Sequence, residues 1–143
     1  MDKNLIPAKL YKKIVELVPI ICVDVILKYH GKYVLIKRED EPLKGSYWIV
    51  GGRAYKGEPT LKTAKRKVKE ETGFEAHSFN VVGIYEDHYP KSAWGTPTSS
   101  VSVVYSATLK NLKSINRPNV SIRFSNKLPN RLIKKMIWIN NQK

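Results

Sequence analysis

Three segments of the chain carry apolar residues at a spacing of three to four, the period of an amphipathic helix. The clearest covers residues 60–72, where Thr60 is the expected N-cap and Gly73 the expected left-handed C-cap. Its apolar stripe consists of Leu61, Ala64, Val68 and Thr72. The other two segments, 7–17 and 131–139, predict a short N-terminal helix behind a proline and a closing helix.

Runs rich in β-branched and aromatic residues lie between these helices and predict β-strands. They cover residues 19–28, 33–38, 47–50, 79–85, 100–109 and 121–124. The first two runs flank a turn containing Gly31 and predict a hairpin, whereas a long loop with Pro90 and Trp94 separates the fourth run from the fifth. A loop of that length in a small chain is often functional. The order of the elements predicts an α/β fold, in which a mixed β-sheet lies between helices on both faces.

Length and composition favour a single domain over residues 1–143 without a membrane segment. With 42% hydrophobic residues and no low-complexity stretch, the chain is expected to be compact. The longest apolar run, 18–27, is too short to cross a bilayer and contains Asp24, and the N-terminus has no signal-peptide pattern. The single cysteine, Cys22, cannot form an internal disulfide and is expected to be a buried, inert thiol. Together these features predict a cytoplasmic protein.

Charge is strongly positive and unevenly distributed, because 26 Lys and Arg against 12 Asp and Glu give a formal net charge of +14. Residues 88–143 contain 10 of the basic residues and none of the acidic ones. This excess predicts an anionic partner, either a phosphate-bearing small molecule or a nucleic acid. The alternative is a lysine-rich surface that is exposed only to water, and composition alone favours that alternative.

Two adjacent carboxylates, Glu70 and Glu71, stand out in a chain that is poor in acidic residues. They lie near the end of the most clearly predicted helix, within reach of a glycine turn at Gly51 and Gly52. Oxygen ligands of this kind suit Mg²⁺, which proteins commonly share with substrate phosphates. The alternative is a solvated helix end, where Arg66 pairs with Glu70 for about 0.3–0.5 kcal/mol.

A longer pattern runs from the glycine turn to the end of this helix. It consists of Gly52, Glu58, Arg66, Val68, Glu70, Glu71, Gly73 and Phe74. This pattern resembles the Nudix box, the signature of hydrolases that act on nucleoside diphosphates linked to another group. One specified position differs, because Lys67 stands where the family has glutamate. The resemblance implies the Nudix α/β/α sandwich, and it implies structural roles for Gly52, Gly73 and a Glu58–Arg66 pair that fixes the loop against the helix.

Segments outside the box resemble the GDP-mannose mannosyl hydrolase branch of the family over most of residues 17–105. They read LVPIICVDVIL, VLIKR, GSYWIVGGR and GIYEDHYPKSAWGT. This resemblance implies that the anionic small molecule is a nucleotide sugar such as GDP-mannose, attacked at the sugar carbon. It also implies Mg²⁺, or Mn²⁺ in its place, as the cofactor, and a homodimer formed through the N-terminal segment.

The resemblance also implies roles for individual residues. The implied metal ligands are the carbonyl of Gly51 with Glu70 and Glu71. The implied substrate-binding residues are Asp24, Arg38, Arg53 and His88, of which the two arginines would hold the diphosphate. Lys67, which has no counterpart in the family, is expected to touch a substrate phosphate through its own positive charge. Asp24 is also conspicuous on its own, because a lone acid inside an apolar strand is costly to bury unless it is bonded.

The general base is one departure from the branch. Where the branch has a glutamine and a histidine, this chain has Pro118 and Asn119, and neither can accept a proton as a base. Substitutes would come from Glu86, Asp87 or His88, since a base must reach the attacking water. Arg53, Glu70 and Glu71 are expected to be catalytic from the resemblance. Together with these substitutes for the base, the expected catalytic residues are Arg53, Glu70, Glu71, Glu86, Asp87 and His88.

Lys67 is the other departure, because the family has glutamate at this position. Its ammonium, beside two carboxylates, would repel Mg²⁺ and neutralise one of the carboxylates.

Two alternatives to the nucleotide-sugar hydrolase stay open. One is a Nudix pyrophosphatase that attacks phosphorus in ADP-ribose, dinucleotides or nucleoside triphosphates. The other is a catalytically decayed Nudix module whose basic region binds RNA or another polyanion.

Overall fold

The structure, a computed structural model, describes residues 5–112 and 121–139. Its helices are α1 (Ala8–Leu17), α2 (Thr60–Thr72) and α3 (Asn130–Lys135). Its strands are β1 (Ile20–Tyr29), β2 (Lys32–Lys37), β3 (Tyr47–Trp48), β4 (Val50–Arg53), β5 (Ala76–Tyr89), β6 (Thr98–Leu109), β7 (Ile122–Ser125) and β8 (Met136–Trp138). Within the two described ranges, no helix combines the length and the apolar character that crossing a bilayer requires.

The strands form one mixed sheet in the order β3-β2-β1-β6-β5-β8. β1 and β6 run parallel, with Cys22 beside Ser102 and Asp24 beside Val104, whereas the other neighbouring pairs are antiparallel. β4 pairs with β1 at residues 22–25, and β7 pairs with β2. The predicted mixed sheet is confirmed, and β1 lies at its centre with partners on both sides.

Two apolar cores lie on opposite faces of this sheet. α2 covers one face, where Ala64 and Val68 belong to the same buried cluster as Val23 and Val25 of β1. α3 covers the other face, where its Leu132 is fully buried in a second cluster. Burying a side chain of this kind contributes about 1.5–3 kcal/mol, so each helix is held mainly by its apolar stripe. The predicted arrangement of helices on both faces is confirmed.

The ends of α2 follow the sequence at one terminus and depart from it at the other. Gly73 has a φ of 76° and its N–H donates to the Lys69 carbonyl at 2.9 Å, so the left-handed C-cap is confirmed. The expected N-cap was wrong, because α2 begins at Thr60 and the Thr60 hydroxyl bonds to the hydroxyl of Tyr105 at 2.7 Å. Leu61, expected in the apolar stripe, is 40% exposed.

The largest differences from the predicted elements lie in the second half of the chain. β5 and β6 extend the hairpin beyond the predicted strands, which shortens the intervening loop to residues 90–97. The closing helix ends at Lys135, and residues 136–138 instead form the edge strand β8 along β5. The free edge of β5 supplies backbone hydrogen-bond partners there, and the sequence Met-Ile-Trp has strong strand propensity.

Candidate active site

The glycine turn and the glutamate pair meet because β4 lies between α2 and β1. In the β1–β4 pairing Gly51 stands opposite Asp24, while Gly52 stands opposite Val23 and therefore faces α2. The N–H of Gly51 donates to a carboxylate oxygen of Glu71 at 3.4 Å. The glycine turn therefore lies between the C-terminal end of α2 and Asp24, which is on the face of the sheet that points away from α2.

A charged network holds the loop between β4 and α2 against the helix. Arg66 pairs with Glu58 at 2.9 Å and donates to the Arg53 carbonyl at 3.0 Å. The Thr63 hydroxyl donates to Glu58 at 2.6 Å. The hydrogen bonds from Arg66 lower the pKa of Glu58 to about 2. The structure therefore contains the Glu58–Arg66 pair that the box predicted.

Lys67 projects from the same helix towards both glutamates. Its ammonium nitrogen lies 3.2 Å from Glu70 Oε2 and 3.3 Å from Glu71 Oε1, and its side chain is only 18% exposed. The side-chain stem runs beneath Gly52, where an added Cβ would lie 2.6 Å from Lys67 Cε. The ammonium is therefore seated between the two carboxylates that were expected to bind metal.

A pocket lies on the other side of the glycine turn, on the face of the sheet opposite α2. It encloses about 240 Å³. Its aromatic lining is formed by Tyr11, Trp48, Tyr85, Tyr89 and Trp94, and its polar lining includes Asp24, Arg38, Ser92, Ser100 and Ser102.

Cys22 also lines this pocket and is only partly buried, which corrects the expectation of a buried thiol. Burial nonetheless raises the pKa of Cys22 to about 12, so the thiol stays protonated and inert.

Asp24 lies at the boundary between this pocket and the box. Burial and the charge of Glu71 together raise the pKa of its carboxyl to about 6, although a hydrogen bond with Ser102 lowers it. Burial also raises the pKa of Glu71. An added Cβ on Gly51 would collide with the Asp24 carboxylate. Asp24 and Glu71 therefore flank Gly51 from opposite faces of the sheet.

The two arginines expected to hold a diphosphate both lie near this boundary. Arg38 lines the pocket, and its Nε donates to the Pro42 carbonyl at 2.7 Å. The Arg53 guanidinium lies over Tyr11 at 5.6 Å and over Tyr55 at 5.0 Å. Contacts of this kind between a guanidinium and aromatic rings help to hold the guanidinium in place.

Asp87 is placed differently from its expected role as a base. Its side chain is fully buried, and salt bridges of 2.6 Å join it to Arg131 and to Lys135 of α3. Tyr85 also donates to this carboxylate. Burial alone would raise the pKa of Asp87, but the hydrogen bonds from the two cations lower it well below its usual range. A carboxylate held in this way has no access to water, so the structure argues against it as the general base.

Glu86 and His88 also depart from their expected positions. Side chains alternate along β5, and because Tyr85 and Tyr89 line the pocket, Glu86 and His88 project from the opposite face of the sheet. Both are exposed, and His88 Nδ1 lies 2.9 Å from the Ser99 hydroxyl. The structure thus places neither of them in the pocket. The other expected location of a base, Pro118 and Asn119, lies outside the described residues.

Sequence reasoning missed the aromatic lining and the cations that support it. Arg131 bonds to Asp87 and its guanidinium lies 4.5 Å from the ring of Tyr89. The alternation of Tyr85, Asp87 and Tyr89 at a spacing of two was the available signal that these side chains share one face. Their link to α3 spans more than 40 positions and has no local signature.

The oxygen donors at the glycine turn fit a divalent cation in chemical type. Glu70 and Glu71 offer carboxylate oxygens, and Gly51 adjoins them, which matches the mixed ligands and retained waters of Mg²⁺. Across residues 5–112 and 121–139, no group of three or more His, Cys, Asp or Glu side chains converges to hold a metal. A cation here would therefore take its remaining ligands from backbone, water and substrate.

Comparison with known proteins places the chain in a family. Residues 19–127 match the model of the NUDIX domain family. The chain is 31% identical over 87 residues to the low-salt glycan biosynthesis protein Agl8 of Haloferax volcanii, covering 61% of this chain and 56% of that protein. It is 36% identical over 67 residues to an ADP-ribose pyrophosphatase of Methanocaldococcus jannaschii, covering 47% and 40%. The chain thus spans about half the length of these relatives.

The fold agrees with that match. The crystal structure of a MutT NUDIX hydrolase from Burkholderia pseudomallei superimposes with a TM-score of 0.67 at 19% identity, covering 82% of this chain and 95% of the other. At that identity the likeness concerns the fold alone. The match of the family model over residues 19–127 shows that this chain belongs to the NUDIX domain family.

Proposed function

We propose that the protein is a divalent-metal-dependent Nudix hydrolase that cleaves a nucleoside diphosphate linked to a sugar. The observation that carries this proposal is the meeting of two sites at Gly51. On one side Glu71 accepts a hydrogen bond from the Gly51 N–H, and on the other Asp24 lies in an aromatic pocket. A diphosphate that bridges the turn would present its phosphates to the box and its organic part to the pocket.

The pocket chemistry supports a nucleotide sugar as the ligand. Aromatic rings stack on a nucleobase, while hydroxyls and a carboxylate hydrogen-bond to a sugar. Arg38 lines the pocket and Arg53 lies beside it, so both can neutralise the diphosphate. The relative Agl8 is described as a glycan biosynthesis protein, which fits a sugar-linked substrate such as GDP-mannose.

Glu70, Glu71 and the Gly51 carbonyl would hold Mg²⁺. When bound, this ion neutralises phosphate charge and stabilises the diphosphate as a leaving group. Asp24 is the proposed proton acceptor, because its carboxyl lies in the pocket and its pKa of about 6 leaves it ionised at neutral pH yet basic enough to take a proton. This role replaces the base that was expected on β5.

A second candidate is a pyrophosphatase that attacks phosphorus in ADP-ribose. It is favoured by the 36% identity to an ADP-ribose pyrophosphatase. The aromatic pocket would accept adenine as readily as guanine, so the two candidates differ in the bond that breaks rather than in the shape of the site.

Turnover in ¹⁸O-labelled water separates these candidates. We expect a panel of nucleotide sugars and ADP-ribose, incubated with Mg²⁺, to give label on the released sugar, because attack is at carbon. Label on phosphate would establish the second candidate instead. The variants Glu71→Gln and Asp24→Asn should each lower kcat by about 10²-fold or more. A control variant, Glu75→Gln, changes an exposed glutamate just after the C-terminal end of α2 and should leave kcat unchanged. No turnover of any panel member would reject both candidates.

A further inference from the structure

The Lys67 ammonium lies between the two carboxylates that would hold the metal ion of the proposed function. It lies 3.2 Å from Glu70 Oε2 and 3.3 Å from Glu71 Oε1, which are salt-bridge distances. The carboxylates of Glu70 and Glu71 both lie next to this ammonium and are therefore close together, so their negative charges would repel without a cation between them. Arg66 contacts only Glu70 of the two, which leaves Lys67 as the described cation that bridges both.

The seat of this ammonium is built by the backbone. Gly52 has no side chain, and the stem of Lys67 fills the space that a Cβ would take. Helical spacing then places Lys67 one turn from both glutamates, three residues from one and four from the other. With only 18% of its side chain exposed, Lys67 is held more firmly than an ordinary surface lysine.

We infer that Lys67 is a tethered cation that a divalent metal ion must displace in order to bind. The inference rests on the metal site of the proposed function. Without metal, the ammonium neutralises the glutamate pair and stabilises the end of α2. When a divalent ion arrives, the lysine has to leave its seat, so the protein binds metal more weakly than its carboxylates alone would. Lys67 therefore sets the metal concentration at which the site fills.

Binding of Mn²⁺, followed by water-proton relaxation on the full chain without substrate, tests this inference. Lys67→Met keeps the apolar stem beneath Gly52 and removes the charge, so its Mn²⁺ affinity should rise about tenfold or more. Lys62→Met removes the same charge from an exposed position of α2 and should change affinity less than about twofold. Gly52→Ala keeps the charge but pushes the lysine stem aside, so it should raise affinity in the same direction as Lys67→Met.

Thermal unfolding supplies a second readout. Without metal, Lys67→Met should unfold at a lower temperature than wild type, and Mn²⁺ should raise its midpoint by more than it raises that of wild type. Equal Mn²⁺ affinity in wild type, Lys67→Met and Gly52→Ala would overturn the inference that metal displaces Lys67, while leaving the proposed metal site intact. Absence of Mn²⁺ binding in all of these proteins, and in Lys67→Glu as well, would overturn both the exchange and the proposed metal site.

Discussion

At the scale of single residues, the two adjacent glycines of the turn differ in what surrounds them. A Cβ on Gly51 would collide with Asp24 and lie 2.8 Å from the backbone carbonyl of Val23, which cannot move without breaking the β1–β4 pairing. A Cβ on Gly52 would meet only the flexible end of Lys67. A side chain at Gly51 would therefore meet atoms that cannot move, whereas a side chain at Gly52 would meet a lysine that can move aside.

This difference predicts unequal costs for the same substitution. Gly51→Ala should lower the free energy of unfolding by about 1–3 kcal/mol, whereas Gly52→Ala should lower it by less than about 1 kcal/mol. Urea unfolding of both variants beside wild type, without divalent metal, measures the two costs. A larger loss for Gly52→Ala would mean that Lys67 is packed too tightly to move.

At the scale of elements, the Glu58–Arg66 pair connects the loop after β4 to α2. Because the pKa of Glu58 is lowered to about 2, the pair stabilises the fold at pH values above the ordinary glutamate pKa of 4.5. That contribution is lost as the pH falls from about 4.5 to about 2. Glu58→Gln should therefore cost about 1–3 kcal/mol at pH 7 and almost nothing near pH 2.

Chemical unfolding at a series of pH values checks this prediction, with Glu75→Gln as the matched control. Glu75 approaches Lys110 only to 4.0 Å, and both side chains are more than half exposed, so its loss should be small at every pH. A cost for Glu58→Gln that did not change with pH would show that packing, rather than the charge of Glu58, holds the loop.

Elements and contacts that depend on local spacing were predictable from the sequence, whereas distant pairings were not. The Gly73 cap and the Glu58–Arg66 pair lie within one helix and the loop before it, so their spacing carries the information. The strand β8 depends on a free edge of β5, and the burial of Asp87 depends on Arg131, more than 40 positions away. Tertiary neighbours decided both outcomes and overrode local helix propensity in one of them.

The same distinction explains why the base expected on β5 does not lie in the pocket. A resemblance identifies residue types in a segment, but the face on which each side chain lies follows from the register of β5 against β6. Tyr85 and Tyr89 face the pocket in that register, while His88 faces away from it. The apolar neighbours of Asp24 predicted that this carboxyl has a bonding partner or contacts the substrate, but they did not predict that it acts as a base.

At the scale of the whole molecule, the net charge of +14 creates a field that acts on any anionic ligand before contact. The described parts of the chain after Asp87, residues 88–112 and 121–139, contain basic but no acidic side chains. A nucleoside diphosphate carries few charges, whereas an RNA carries one on every phosphate. The two kinds of ligand should therefore respond to salt by very different amounts.

Raising NaCl from about 50 to about 200 mM should increase KM for the nucleotide substrate by less than about tenfold, because only a few phosphate charges are neutralised. kcat should stay constant, since the field changes encounter and binding rather than the bonds that break.

For comparison, the affinity for a short labelled RNA is measured by fluorescence anisotropy over the same salt range. If RNA bound tightly at low salt and lost about 10³-fold or more in affinity, while no nucleotide was turned over, the basic surface would be a polyanion site and the hydrolase proposal would fall. If KM responds weakly to salt and RNA binding stays weak throughout, the positive field serves to attract a small anion rather than to hold a nucleic acid.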